Sequence, residues 1–422
     1  MSPYRIAIAG CGPAGLAAAL LLTRDGHRVE LFERFAAPRP LGSGLMIQPT
    51  GLAVLEQLGL AGEVVAHGAR ITRLKGINER GRIALDARYA DLGIPGIFGL
   101  GIHRASLFDI LYRAVNDAGI RIHSGCEVTA CSSFGPTHRM TFTDGQQSEA
   151  FDLIVDALGI HSPLMADSVE PLPYGALWTT VTWPEGGPFD ESLLEQRYRK
   201  AHQMVGVLPT GHRPSGGTKE AAFFWSLRRA DYAAWRSAGL DQWKDDVREL
   251  WPDCAILLDQ IAHADQLTFA RYAHRTAANP PQDGIVRIGD AWHCASPQLG
   301  QGANMALLDA WAIAAGLREG SSLSEGVRLA LSWRSDHVRL YQWLTAAFTP
   351  LYQSDAAMPA AIRDRVLAPL ARIWPISRIQ ALLVGGLFGG ALAPLGLPMP
   401  DYQVAGSTAS STNACASGLD QS

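Results

Sequence analysis

The sequence predicts an α/β chain in which a parallel sheet flanked by helices carries an inserted, mainly antiparallel sheet and is followed by a helical C-terminal region. Three observations predict it. A glycine turn joins a short apolar run to an apolar helix near the amino terminus, a second apolar run follows at once, and a Trp- and Phe-rich stretch of alternating pattern fills residues 171–270. The first two make a βαβ unit, whose strands run parallel because a helix crosses between them. The third has the period of two that a sheet with distinct faces requires.

Residues 5–9 are largely β-branched or apolar, 10–15 form the turn, 16–23 favour helix and 28–32 give the second strand. Further strands are expected at 120–123, 152–156 and 284–288, and helices at 107–118 and 305–317. The first domain is therefore assembled from segments 1–70, 98–170 and 271–330. Segments 71–97 and 171–270 form a second, substrate-side domain. Residues 331–402 read as helices, and 403–422, rich in Ser, Ala, Gly and Thr, are expected to be disordered.

Composition excludes several classes. With 422 residues, 47% of them hydrophobic, the chain can bury a large core. A net charge of -4 offers no field for a nucleic-acid backbone. The six cysteines show no paired or metal-ligand spacing, so reduced thiols in a cytoplasmic protein are expected, with no metal site. The apolar start is broken by Pro13 and three glycines and reads as strand, turn and helix, not as an export signal.

Gly10-Cys11-Gly12-Pro13-Ala14-Gly15 is a G-x-G-x-x-G turn in strand-to-helix context, with Glu33 and Arg34 about twenty residues on. Gly10 permits the turn, Gly12 lets backbone approach a pyrophosphate, and Gly15 lets helix and strand pack closely. The helix start, with Pro13 and Ala14, offers N–H groups to the phosphates, and Glu33 would accept from a ribose. A Rossmann-like dinucleotide site follows; a glycine turn without ligand is the alternative. The acidic Glu33 disfavours a ribose 2′-phosphate here.

A second polar loop follows the strand at 284–288. Gly289-Asp290 is followed by a segment through Pro297, Gly300, Gly302, Ala303 and Asn304 that opens a helix. Asp290 would accept from a polyol chain or act as an N-cap, Gly300 and Gly302 admit a flat ring, and the helix start at Asn304 stabilises an anion. His293 is a candidate proton relay or a structural histidine, and the same two readings hold for His103 and His161.

The two glycine-bearing segments resemble the FAD fingerprint and the GD-type motif of the class A flavoprotein monooxygenases, the p-hydroxybenzoate hydroxylase-like family, over nearly all of the chain to residue 402. Gly42-Ser43-Gly44-Leu45-Met46-Ile47-Gln48-Pro49 is similar to the family's flavin loop, and Ile102-His103-Arg104 to its arginine-bearing helix start. The resemblance implies a Rossmann-like FAD-binding domain, FAD as cofactor with Gly44 and Arg104 among its contacts, and NADH or NADPH as reductant. It further implies O₂ activation through a flavin C4a-hydroperoxide and hydroxylation of an aromatic or polyketide-like small molecule. Pro297, Gly302 and Asn304 would form the flavin environment, and Trp178 and Trp225 are candidate substrate contacts.

One departure is visible. Where the family commonly has Asp-Gly, this sequence has Leu158-Gly159, and Met165 stands where a basic residue is usual. Slow reduction by a nicotinamide alone is therefore expected, with bound substrate or a separate flavin reductase as the remedy. A dehydrogenase or reductase of the same fold, or a flavin-binding protein with little turnover, are the alternatives; no W-x-W-x-I-P segment suggests a halogenase. Residues 381–400 carry no charge, which suits buried packing over membrane-surface contact, since glycines and prolines interrupt the stretch.

Overall fold

The computed structural model describes residues 3–39, 42–165, 169, 171–276 and 284–402. The expected tail at 403–422 lies outside the described residues. A five-stranded parallel sheet has the order Ile285–Arg287, Leu153–Asp156, Arg5–Ala9, Arg28–Glu33, Arg121–Ser124. Arg5–Ala9 is the switch strand: buried along nearly its whole length, it pairs with a strand on each side, and its C-terminal end opens the crevice where such sheets bind ligands. The helices Pro13–Arg24 and Gly302–Glu319 pack together, both rich in Ala and Leu with little amphipathic contrast, as helices buried on most sides must be.

The second sheet has seven strands in the order Thr268–Ala273, Pro171–Thr182, Glu220–Arg228, Gln203–Gly211, Leu193–Arg199, Arg73–Asn78, Ile83–Arg88. All neighbours are antiparallel except Leu193–Arg199 beside Arg73–Asn78. Register assigns its faces. Leu177 stands opposite Trp225 and Trp178 opposite Phe224, so successive residues point to opposite sides. Leu177, Val205, Phe223 and Trp225 pack with Trp243 and Leu257 of the short outer helices and with Trp251 between them. Trp178, Phe224, Leu208 and Tyr198 join the main core instead.

A three-stranded sheet, Gly44–Ile47, Gly99–His103 and Ala69–Ile71, lies between. The C-terminal helical region begins at Leu323, earlier than expected, because Leu323–Tyr352 is one continuous helix capped by Ser322, whose side chain accepts from the Glu325 amide. In 381–400, Ala381, Val384, Ala391, Leu392, Leu395 and Leu397 are buried and pack inward, while Met399 and several of the glycines and prolines are exposed. Among the described residues no helix is long and apolar enough to cross a membrane, and no cluster of three or more His, Cys, Asp or Glu could hold a metal ion.

Candidate active site

The glycine turn is held by backbone and by one carboxylate. Gly10 has φ +106°, and a Cβ there would lie 2.5 Å from the Ala157 carbonyl oxygen; one on Gly15 would lie 2.0 Å from that of Gly10. Both positions require glycine for packing. Gly12 differs: a Cβ there would meet nothing within 4 Å, so its missing side chain leaves open space in front of the helix start. Pro13 opens that helix and no side chain caps it, leaving N–H groups directed into this space. Glu33 is buried and accepts from the amides of Cys11 (3.0 Å) and Phe35 (3.1 Å), which fixes its carboxylate under the turn. Arg34 is exposed, with its guanidinium over the Phe35 ring.

The second loop meets the first. Gly289 has φ +59°, and a Cβ there would touch Ala14 at 3.4 Å and Ala306 at 3.2 Å, so the Gly289-Asp290 turn abuts both helix starts. Asp290 caps neither the turn it occupies nor the helix that follows. Its side chain keeps solvent access yet is enclosed by protein, which places it on the floor of a cleft. Enclosure pushes its carboxyl pKa up, opposed by the charges of His293, Arg104 and Arg275. Arg104 thus reaches the same cleft; it opens the helix Arg104–Asp117, whose N-cap is the His103 side chain accepting from Ala105 at 3.1 Å.

At the far end, Pro297–Leu299 is a short 3₁₀ turn, Gly300 is left-handed at φ +62°, and Gly302–Glu319 begins with no side-chain cap. The N–H groups of Gly302, Ala303 and Asn304 therefore have no partner within the helix. Gly302 is exposed, and nothing lies within 4 Å of where its Cβ would be. An uncapped helix start facing open space suits an anionic ring edge.

Three expected site residues have close protein neighbours. The Asn304 side chain is 0% exposed; it donates to the carbonyls of Met46 (3.1 Å) and Gly300 (3.0 Å) and accepts from the Gln48 amide (2.7 Å). With these partners it ties the loop to the strand Gly44–Ile47, and only its backbone N–H is left for a ligand. Gly44 serves packing: a Cβ there would lie 2.6 Å from Thr210 and 2.7 Å from Ala222 of the seven-stranded sheet. Trp225, 2% exposed, sits on the outer face of that sheet, away from the flavin-side domain. Trp178 is on the inner face, stacked on Phe224 at 4.5 Å and donating from Nε1 to the Tyr272 hydroxyl at 2.8 Å. Arg104 lies close enough to Tyr272 to act on its pKa, so this aromatic group adjoins the cleft.

Two features escaped the sequence reading. Asp309 is a buried anchor: its carboxylate accepts from the Gly289 amide (2.9 Å), His293 Nε2 (2.6 Å) and Arg334 Nε (2.7 Å). Burial raises its pKa, but the His293 and Arg334 charges and hydrogen bonds outweigh that and bring it to about 2. His293 is thereby committed to holding the loop. Asp309 is the only charged residue between Gly302 and Leu317, which is the signal that could have singled it out. The other is Asp156, which accepts from the Leu158 amide (3.1 Å) and the Ser162 hydroxyl (2.6 Å) and lies 4.0 Å from Arg287. Asp156 is 0% exposed, while Leu158 packs against the core around Phe32 and Met140.

A parallel-sheet crevice with an open glycine turn at one end, an acidic floor and an uncapped helix start at the other defines a flavoprotein of the FAD-binding type. The residues fit the group: Gly12 and Gly302 leave open the space in front of two helix starts that no side chain caps. The chain belongs to the FAD binding domain family, whose model matches residues 4–323. It is similar to 6-methylpretetramide 4-monooxygenase of Streptomyces rimosus, 28% identical over 335 residues (75% of each chain), and to 3-amino-4-hydroxybenzoate 2-monooxygenase of Streptomyces cremeus, 28% identical over 337 residues (72% of this chain, 76% of that one). The fold is shared with 2-methyl-3-hydroxypyridine-5-carboxylic acid oxygenase, with a TM-score of 0.75 at 21% identity, covering 94% of this chain and 99% of that one. Klebsiella pneumoniae HpxO, solved with FAD and uric acid, gives 0.74 at 19% identity, covering 91% and 97%. The chain is an FAD-dependent oxidoreductase of the monooxygenase family, as the sequence motifs implied.

Proposed function

We propose that this enzyme hydroxylates an aromatic or polyketide-like small molecule with one atom of O₂, using NADH or NADPH as the electron source. The observation that carries the reading is the half-buried Trp178, stacked on Phe224 and bonded to Tyr272, on the sheet face turned to the FAD cleft. The named activities of the two Streptomyces relatives, on a pretetramide and on an aminohydroxybenzoate, support a ring substrate. Bound FAD supplies a reducible ring that activates O₂.

The chain's own residues bind, orient and shield. The amides of the turn at Gly12 would hold the pyrophosphate, Glu33 would accept from the ribose and Asp290 from the ribityl chain, and Arg104 would add positive charge beside them. Pro297 and Gly300 would border the ring, and the N–H groups of Gly302, Ala303 and Asn304 would stabilise negative charge there. Trp178 offers a flat apolar surface against which a substrate ring can stack, contributing about 0.5–1.5 kcal/mol beyond area burial.

The test is turnover of the FAD-loaded enzyme under ¹⁸O₂ with a panel of aminohydroxybenzoates and fused polyphenols. One labelled oxygen in the product, with nicotinamide oxidation that depends on substrate, is expected. An oxidised product carrying no label would replace this reading with the dehydrogenase one.

A further inference from the structure

Nine of the thirteen exposed large apolar side chains among the described residues fall between Met358 and Ile379. Short helical turns, Ala357–Ile362, Arg363–Leu367, Ala368–Leu370 and Ile376–Val384, make up this segment, with the non-helical turn 371–375 before the last of them carrying Arg372, Ile373 and Trp374. Its inner side is well anchored. Arg363 is buried, donates to the carbonyls of Leu351 and Lys200 (both 3.0 Å) and to Asp364, and lies over the Tyr198 ring; Asp364 also accepts from Asn78 at 2.7 Å. With those polar groups satisfied, the outward apolar side chains are presented by a packed element. Trp374 is 75% exposed and Ile373 58%.

The exposed charges of the segment are Arg365, Arg372 and Arg378, all positive, while its one acid, Asp364, is turned inward. This local basic character contrasts with the net charge of -4 for the whole chain.

We propose that this face docks on an anionic lipid bilayer, with Trp374 and its apolar neighbours in the headgroup boundary and the three arginines on lipid phosphates. Apolar residues with Trp beside a purely basic set are the pattern of interfacial binding. A second copy of the chain suits the face less, because a two-fold contact would place two sets of arginines together with no exposed acid of the segment between them. The dock also adjoins the cofactor loop: Val384, which ends the last of these helices, accepts at its carbonyl from Gln301 Nε2 at 2.7 Å. An apolar ring dissolved in the bilayer would meet the protein beside that loop.

The test is co-flotation of the FAD-loaded enzyme with phosphatidylcholine vesicles and with vesicles containing one-third phosphatidylglycerol. Binding to the anionic vesicles only, falling as salt rises, is expected. R365Q/R372Q/R378Q should weaken it on the order of 100-fold, at about fivefold per arginine, and I373S/W374S should abolish it, each with unchanged FAD content. Quenching of wild-type tryptophan emission by brominated anionic lipid is expected too, and decides the matter if a variant fails to fold. Absence of both flotation and quenching overturns the proposal. So does vesicle binding that neither variant alters, or a dimer split by I373S/W374S in a protein that binds no vesicle.

Discussion

His337 gives the sharpest pH prediction. It lies buried behind the cofactor loop, where Arg334 Nη1 donates to its Nδ1 at 2.9 Å and its Nε2 donates to the Gly386 carbonyl at 3.3 Å. A guanidinium can only donate, so Nδ1 must stay unprotonated for this bond to exist. Burial and the Arg334 charge push the imidazole pKa down to about 3, against smaller upward pulls from Gly386 and Asp309 and a further downward one from His293. Below the ordinary value of about 6.5 the unfolded chain takes up a proton that the folded chain refuses, so stability is full above that pH and falls as pH drops toward 3. From pH 7.5 to 5 this histidine alone should remove about 2 kcal/mol. The assay is urea unfolding across that range for wild type and His337→Gln, whose side chain does not titrate. His27, His103, His202 and His274, also depressed by burial, contribute to both proteins and cancel in the comparison. Parallel stability-against-pH curves for the two proteins would refute the reasoning, whatever their offset.

Gly12→Val should lose FAD while the unfolding free energy of the apoprotein changes by less than about 0.5 kcal/mol, since a Cβ at Gly12 has no neighbour within 4 Å; Gly15→Val should instead fail to fold, and FAD absorbance with urea unfolding separates the two outcomes. Asp290→Ala should weaken FAD retention by about 1.5–3 kcal/mol, read as faster cofactor loss on dialysis, and unchanged retention would remove its proposed ribityl contact. Asp309→Ala leaves the buried Arg334 charge uncompensated and should cost about 3–5 kcal/mol, much of it recovered in Asp309→Ala/Arg334→Met, so a double variant no more stable than the single one contradicts the pairing. Anaerobic stopped-flow reduction by NADH or NADPH alone should be slow and accelerate with substrate or an added flavin reductase, because Leu158 supplies no acceptor; fast substrate-independent reduction would assign that task to other residues.

Residue type and spacing set the local machinery. The turn Gly10 to Gly15 with Glu33, the Gly289-Asp290 turn and the glycines at 300 and 302 are short-range features, and each keeps in three dimensions the conformation its residue types impose. The alternation across 171–270 likewise located strands, but a period of two describes both faces of a sheet equally. Only the elements packed on each side made Trp178 inward and Trp225 a core residue of the outer face. Long-range pairings were equally invisible: Asn304 is tied to Met46 and Gln48, over 250 positions away, and Asp309 to Arg334 on another helix. In the same way, Val384, Leu392, Leu395 and Leu397 of the uncharged stretch are buried, while Ile373 and Trp374 of the arginine-bearing segment before it are exposed. Hydropathy records what a side chain gains by leaving water, whereas the tertiary structure decides which side chains find a neighbour to leave it for.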